Sequence, residues 1–204
     1  MVVYLIWGIT LGFAAGVQPG PMSTYIVSQT LANGWRRTLP AVMAPLISDG
    51  PIALVTLMIL SKVPPDFVHV LRLVGGAFIL YLAWGAWKTW RAYDDKTVPV
   101  AQSSRQSVLK AATVNLLNPN PYLGWSLVIG PLMLKGWRET PTHGIAMLVG
   151  FYGTVIATMA ATVFLFSLAR KIGPKVTRVS IGLSALALAC FGVYQLVAGA
   201  FFRS

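Results

Sequence analysis

Apolar runs long enough to cross about 30 Å of hydrocarbon recur six times along this chain, and little else is left over. They lie near residues 2–32, 38–60, 69–91, 107–134, 143–169 and 178–201, joined by connections too short for a soluble domain. With 56% hydrophobic and 10% charged residues and a mean hydropathy of +0.69, the 204 residues cannot cover themselves with a soluble surface. The expected class is an all-α integral membrane protein with six transmembrane helices. No Lys or Arg precedes the first run and the runs continue to the C-terminus, so a cleaved leader is not expected.

The one sizeable polar stretch, "AYDDKTVPVAQSSRQ", has the Asp, Ser, Gln and Pro content of a solvated linker. It divides the chain into 1–91, a cytoplasmic linker at 92–106, and 107–204, with three helices in each half. Orientation follows from the cations. Arg36, Arg37, Lys88, Arg91, Lys96, Arg105, Lys110, Arg170, Lys171, Lys175 and Arg178 fall on one side, and Lys62, Arg72, Lys135, Arg138 and Arg203 on the other. The richer side belongs in the cytoplasm, which places both termini outside. The net charge of +11 is thereby a topology signal with an attraction for anionic lipid, and no basic segment is backed by a fold that would bind nucleic acid.

The halves echo each other. "QPGPMSTY" at 18–25 returns as "NPNPYLGW" at 118–125, and "GWRRT" at 34–38 as "GWRET" at 136–140. A weaker echo lays the segment from Gly75 over that from Ile181. These offsets argue for an internal duplication. Because three helices is an odd number, the second copy must enter the membrane from the opposite face, giving two inverted repeats of a kind found mainly in transporters.

Helices 1 and 4 are expected to break at their Pro-x-Pro motifs. Pro19 and Pro21 would free the carbonyls of Ala15 and Val17, and Pro119 and Pro121 those of Asn115 and Leu117. Such backbone survives at membrane depth only beside protein or a watery cavity. Beyond each break, amides near Met22, Ser23 and Thr24, and near Tyr122, Leu123 and Gly124, would open a half-helix with partial positive charge suited to a carboxylate. The alternative is a pair of kinks serving packing alone.

Asp49, in "APLISDGPIALV", is the one acid expected inside a span; Asp66, Asp94, Asp95 and Glu139 fall in loops or at helix ends. A charge there costs at least about 2.5 to 3.5 kcal/mol, which suits a site alternating between a proton and a substrate ammonium. The competing reading is a structural Asp bonded to neighbouring hydroxyls. Gln18, Pro19, Gly20, Pro21, Ser23, Thr24, Asn115, Asn118, Pro119, Asn120 and Pro121 lie on or beside the breaks and are candidate substrate contacts. Tyr152 joins them, with Thr154 and Thr158 on the same helix, although hydroxyls more often bond the preceding turn. Lys110 reads as snorkelling to the cytoplasmic side, and Trp35, Trp84, Trp87, Trp90 and Trp137 as interfacial anchors. Gly12 with Gly16, and Gly75 with Gly76, read as close helix contacts or a homodimer seam.

Cys190 is the only cysteine, which excludes an intrachain disulfide. His69 and His143 sit at span ends, leaving no buried histidine for a metal cluster or a serine triad. One buried acid makes no aspartyl dyad, and no phosphate-binding Gly-rich loop is present. No enzyme activity, cofactor or metal is expected.

The stretches "GVQPGP", "LANGWRRTLPAVMAPLISDGP", "RLVGGAFILYLAWGAWK" and "NLLNPNP" make the chain resemble the lysine exporter (LysE/RhtB) family of bacterial amino-acid exporters. The resemblance implies a small six-helix secondary exporter of the bacterial inner membrane, commonly dimeric, moving amino acids or related metabolites outward with proton coupling. Its motifs fall on positions 19–21, 118–121 and 49; many members carry Asn-Pro-Lys where this chain has Asn118, Pro119 and Asn120. A metal-cation exporter and a non-transporting scaffold remain the alternatives.

Overall fold

A computed structural model describes residues 1–58, 65–92, 103–171 and 173–201. Most of the 92–106 linker lies outside the described residues. Among them the chain is helical with no strand. It runs through α1 (Val2–Val17), α2 (Pro21–Asn33), a single turn α3 (Trp35–Thr38), a 3-10 turn at Leu39–Met43, α4 (Ala44–Met58) and α5 (Pro65–Arg91). The second half begins with α6 (Ser104–Leu116) and α7 (Pro119–Gly124), passes through a π-turn at Trp125–Ile129, and continues as α8 (Gly130–Glu139), α9 (Pro141–Lys171) and α10 (Pro174–Phe201).

Four helical stretches are long and apolar enough to cross a membrane: Trp35–Leu57, His69–Arg91, Pro141–Leu168 and Lys175–Ala200. A fifth forms if α1 and α2 are one span bent by 62°. The expected fourth span at 107–134 is instead three pieces. It breaks at Leu117 and Asn118, and then widens into the π-turn, where Gly130 N–H bonds the Trp125 carbonyl five residues back. Pro131 explains the widening, since it lacks the amide that the Leu127 carbonyl would otherwise receive. The start of α6 at Ser104, earlier than expected, is set by a capping box: Ser103 Oγ accepts from Gln106 N–H and Gln106 Oε1 from Ser103 N–H, each at 3.3 Å.

Lipid tails are as apolar as leucine, so these helices associate by close packing at small residues. Gly8, Gly12 and Gly16 form one stripe on α1 that meets α9, and a Cβ at Gly8 or Gly12 would collide with the backbone of Met147 or Phe151. Along the α5–α10 contact Gly76 fits against Gly192 and Leu196, while Gly182 receives the ring of Trp90. Arg178 also lies over that ring, 5.8 Å from its centroid, and Arg72 Nη1 donates to the Ala198 carbonyl at 3.4 Å. The glycines expected at helix contacts thus serve contacts within the chain. Outward faces are apolar: Leu127, Val149 and Leu165 are each more than 60% exposed, as lipid-facing side chains are.

Candidate functional site

Both breaks open onto one cavity of about 180 Å³, lined from the first half by Gln18, Pro19, Gly20, Ser23 and Asp49 and from the second by Asn115, Asn118, Asn120 and Pro121. Met22, Trp125, Phe151, Val155 and Met159 supply apolar walls. Nine of the residues singled out in the sequence therefore converge here. Tyr152 joins through a hydrogen bond to Asp49, whereas Pro21, Thr24 and Pro119 are not in the lining. Thr154 and Thr158 bond the carbonyls of Gly150 and Thr154 one turn back, the ordinary use of a hydroxyl on a buried helix.

Asp49 projects from the Trp35–Leu57 stretch and is 6% exposed. Its carboxylate is held entirely by the second half of the chain. Asn115 Nδ2 donates to Asp49 Oδ1 at 2.7 Å and to Ser48 Oγ at 2.7 Å, and the Tyr152 hydroxyl donates to Asp49 Oδ2 at 3.2 Å. The indole N–H of Trp125 is buried near the same carboxylate without reaching hydrogen-bond geometry. Among the described residues no cation pairs with it, and no group of three or more His, Cys, Asp or Glu could hold a metal ion.

The first break runs extended through Gln18 and Gly20. Pro21 then occupies the first helical position of α2, where its missing amide costs nothing. Ser23 ties the turn together: its Oγ accepts from Gly20 N–H at 2.9 Å and donates to the Gly20 carbonyl at 3.0 Å. Gly20 has no side chain to cap the helix, and the first intrahelical bond is Thr24 N–H to Gly20. The amides of Met22 and Ser23 are therefore left without an intrahelical acceptor beside the cavity.

At the second break the expectation of a half-helix opening beyond Pro121 is corrected. Helix α7 starts at Pro119, with Asn118 as its cap. Pro119 and Pro121 take two of the first three helical positions and bring no amide hydrogen. The remaining one, on Asn120, is bound by Asn118 Oδ1 at 3.1 Å. This terminus has no donor left for an anion.

Trp125 and Ser48 were not among the residues singled out. The indole reached the site through the π-turn, which has no signature in hydrophobic periodicity, and Ser48 was signalled only by its place beside Asp49.

A polytopic α-helical membrane protein whose two halves meet at a polar cavity around one buried carboxylate is built as membrane transporters are. The chain belongs to the LysE type translocator family, which it matches over residues 2–199. No curated protein and no solved structure matches it.

Proposed function

We propose that this translocator is a secondary exporter of small zwitterionic or cationic metabolites, amino acids foremost, coupled to protons through Asp49. The observation that carries the reading is the Asp49 carboxylate: it stands in the cavity with its two oxygens fixed by Asn115 and Tyr152 from the other half of the chain. Neutral donors hold a carboxylate in place without cancelling its charge, so either a proton or an ammonium can complete it. The unpaired amides of Met22 and Ser23, on the same cavity, suit the carboxylate of an amino acid. Exchange then follows from competition. A proton bound at Asp49 displaces the ammonium, and its release restores the site.

Two inverted three-helix repeats accommodate this cycle. Their support is the recurrence of a broken helix at 18–20 and at 117–118, and the way α5 lies along α10, the third helix of each half. A cycle of this kind exposes a central site alternately to the two membrane faces. Metal export is disfavoured by the thin ligand set around Asp49.

The test is efflux from vesicles loaded with single amino acids, with and without a proton gradient. Substrate-dependent efflux that collapses with the gradient is expected, and its absence across amino acids and divalent metals would return the chain to a scaffold role. Orientation is tested separately. A reporter active only outside the cytoplasm should be inactive when fused within residues 95–105 and active after Ser204.

A further inference from the structure

A second cavity, of about 260 Å³, opens between the C-terminal ends of α2 and α5 and the start of α6, and it shares no residue with the Asp49 cavity. Its chemistry is one-sided. Lys88 and Lys110 both line it, no Asp or Glu does, and among the described residues neither lysine has a carboxylate partner. Each ammonium instead sits against an aromatic ring, Lys88 Nζ 5.4 Å from the centroid of Trp84 and Lys110 Nζ 6.0 Å from that of Tyr81. These contacts fix the long side chains at the mouth while leaving their hydrogens available.

The floor is polar, buried and donor-rich. Tyr25 is 1% exposed, and its hydroxyl and that of the adjacent Ser107 have no hydrogen-bond partner beyond each other. Gln29 is 8% exposed and accepts from Asn33 Nδ2 at 2.7 Å through Oε1, so its own amide hydrogens remain free to donate. A buried donor without an acceptor costs about 1–3 kcal/mol, so a floor of this kind is best explained by an occupant that supplies oxygens. The mouth shows where that occupant comes from. Tyr81 and Trp84 lie on the His69–Arg91 span and are each 59% exposed on its outer face, where the surroundings are acyl chains and headgroups. On the charge asymmetry of the sequence, this end of the helices is the cytoplasmic one.

We propose that the α2–α5–α6 cleft is a binding site for an anionic phospholipid, with the headgroup phosphate held by Lys88 and Lys110 over the Tyr25 and Gln29 floor and the acyl chains lying along Tyr81 and Trp84. Basic pockets between helices on the cytoplasmic side are where phosphate headgroups bind. An occupant there ties α2, the half-helix beyond the first break, to α5 and α6.

The experiment titrates the purified full chain in detergent with phosphatidylglycerol, with phosphatidylcholine and with inorganic phosphate, following the thermal unfolding midpoint. A saturable rise with phosphatidylglycerol alone is expected. Lys88→Gln and Lys110→Gln should each raise the half-saturating concentration about five-fold, and the double variant roughly thirty-fold, on the scale of one surface lysine per step. Lys175→Gln, on the same side and away from the cleft, should leave it unchanged. Tyr25→Phe removes one floor hydroxyl while keeping the ring, and it should weaken binding with the lipid-free midpoint preserved; it stands in if the lysine double variant does not fold. An equal response to phosphatidylcholine, or unchanged affinity in the lysine and Tyr25 variants, overturns the site. Saturation by inorganic phosphate at the same concentrations as the lipid would make it a free-anion site and overturn the lipid assignment.

Discussion

At the first break the chain enters α2 on Gly20, a residue with no side chain, and the amides of Met22 and Ser23, both cavity-lining residues, have no intrahelical acceptor. At the second it enters α7 on Asn118, whose own side chain binds the one amide that Pro119 and Pro121 leave. The same proline-rich motif has thus been put to two uses. One break leaves its amides unused within the helix, while the other is closed on itself and carries Asn115 one turn upstream, where it fixes Asp49. The two breaks carry different electrostatic duties around one cavity, so two similar motifs line it unsymmetrically. The region around Phe151 and Tyr152 carries no acid and contributes Phe151 as wall and Tyr152 as a hydrogen-bond donor to Asp49.

The largest effect should come from Asp49→Asn. The amide cannot alternate between charge states, so gradient-driven efflux should be lost at unchanged protein level. Full transport in that variant would remove the group around which the two breaks are contrasted. A smaller and more pointed change is Gly20→Ser. No atom lies within 4 Å of a Cβ built at Gly20, and its extended backbone suits any residue, so the hydroxyl can cap Met22 or Ser23. Stability should hold or rise by a few tenths of a kcal/mol. Apparent affinity for a carboxylate-bearing substrate should fall by about tenfold, the worth of a hydrogen bond to a charged group. If affinity is untouched, the first break is not the carboxylate site.

Asn118→Ala is the counterpart. Removing the cap should lower stability by about 1 kcal/mol, read as a reduced midpoint of thermal unfolding, with a smaller effect on substrate affinity than Gly20→Ser has. The smallest effect belongs to Pro121→Ala, which returns one amide to a first turn that did not need it. Stability and efflux should both stay close to the parent chain, and a loss matching that of Gly20→Ser would restore symmetry to the two breaks.

Much of this was legible because proline leaves a helix few choices. The two breaks followed from residue type and membrane depth; the bond from Asn115 to Asp49 did not, since an asparagine beside a break reads equally as a substrate contact. The start of α7 was misplaced by two residues because Pro119 and Pro121 are both tolerated in a first turn; Asn118, through its side-chain bond, decides between them. Trp125 was missed because a tryptophan in an apolar run reads as packing or anchoring, and the turn that brings it to Asp49 depends on Pro131 six residues later. Lys110, read as snorkelling, lies against Tyr81 in a cleft formed by three helices distant in sequence. The linker at 92–106 falls mostly outside the described residues.

The glycine stripe on α1 has a mechanical consequence. Where backbone rests on backbone, as Gly8 and Gly12 rest on Met147 and Phe151, no flexible side chain lies between to absorb a slide. Helices α1 and α9 therefore pack as one rigid pair. The bend of 62° at residues 18–20 sets α2 apart from that pair. With Cys190 replaced by serine, a cysteine cross-link between α1 and α9 should be tolerated, whereas one spanning the bend from α1 to α2 should arrest efflux with the fold intact.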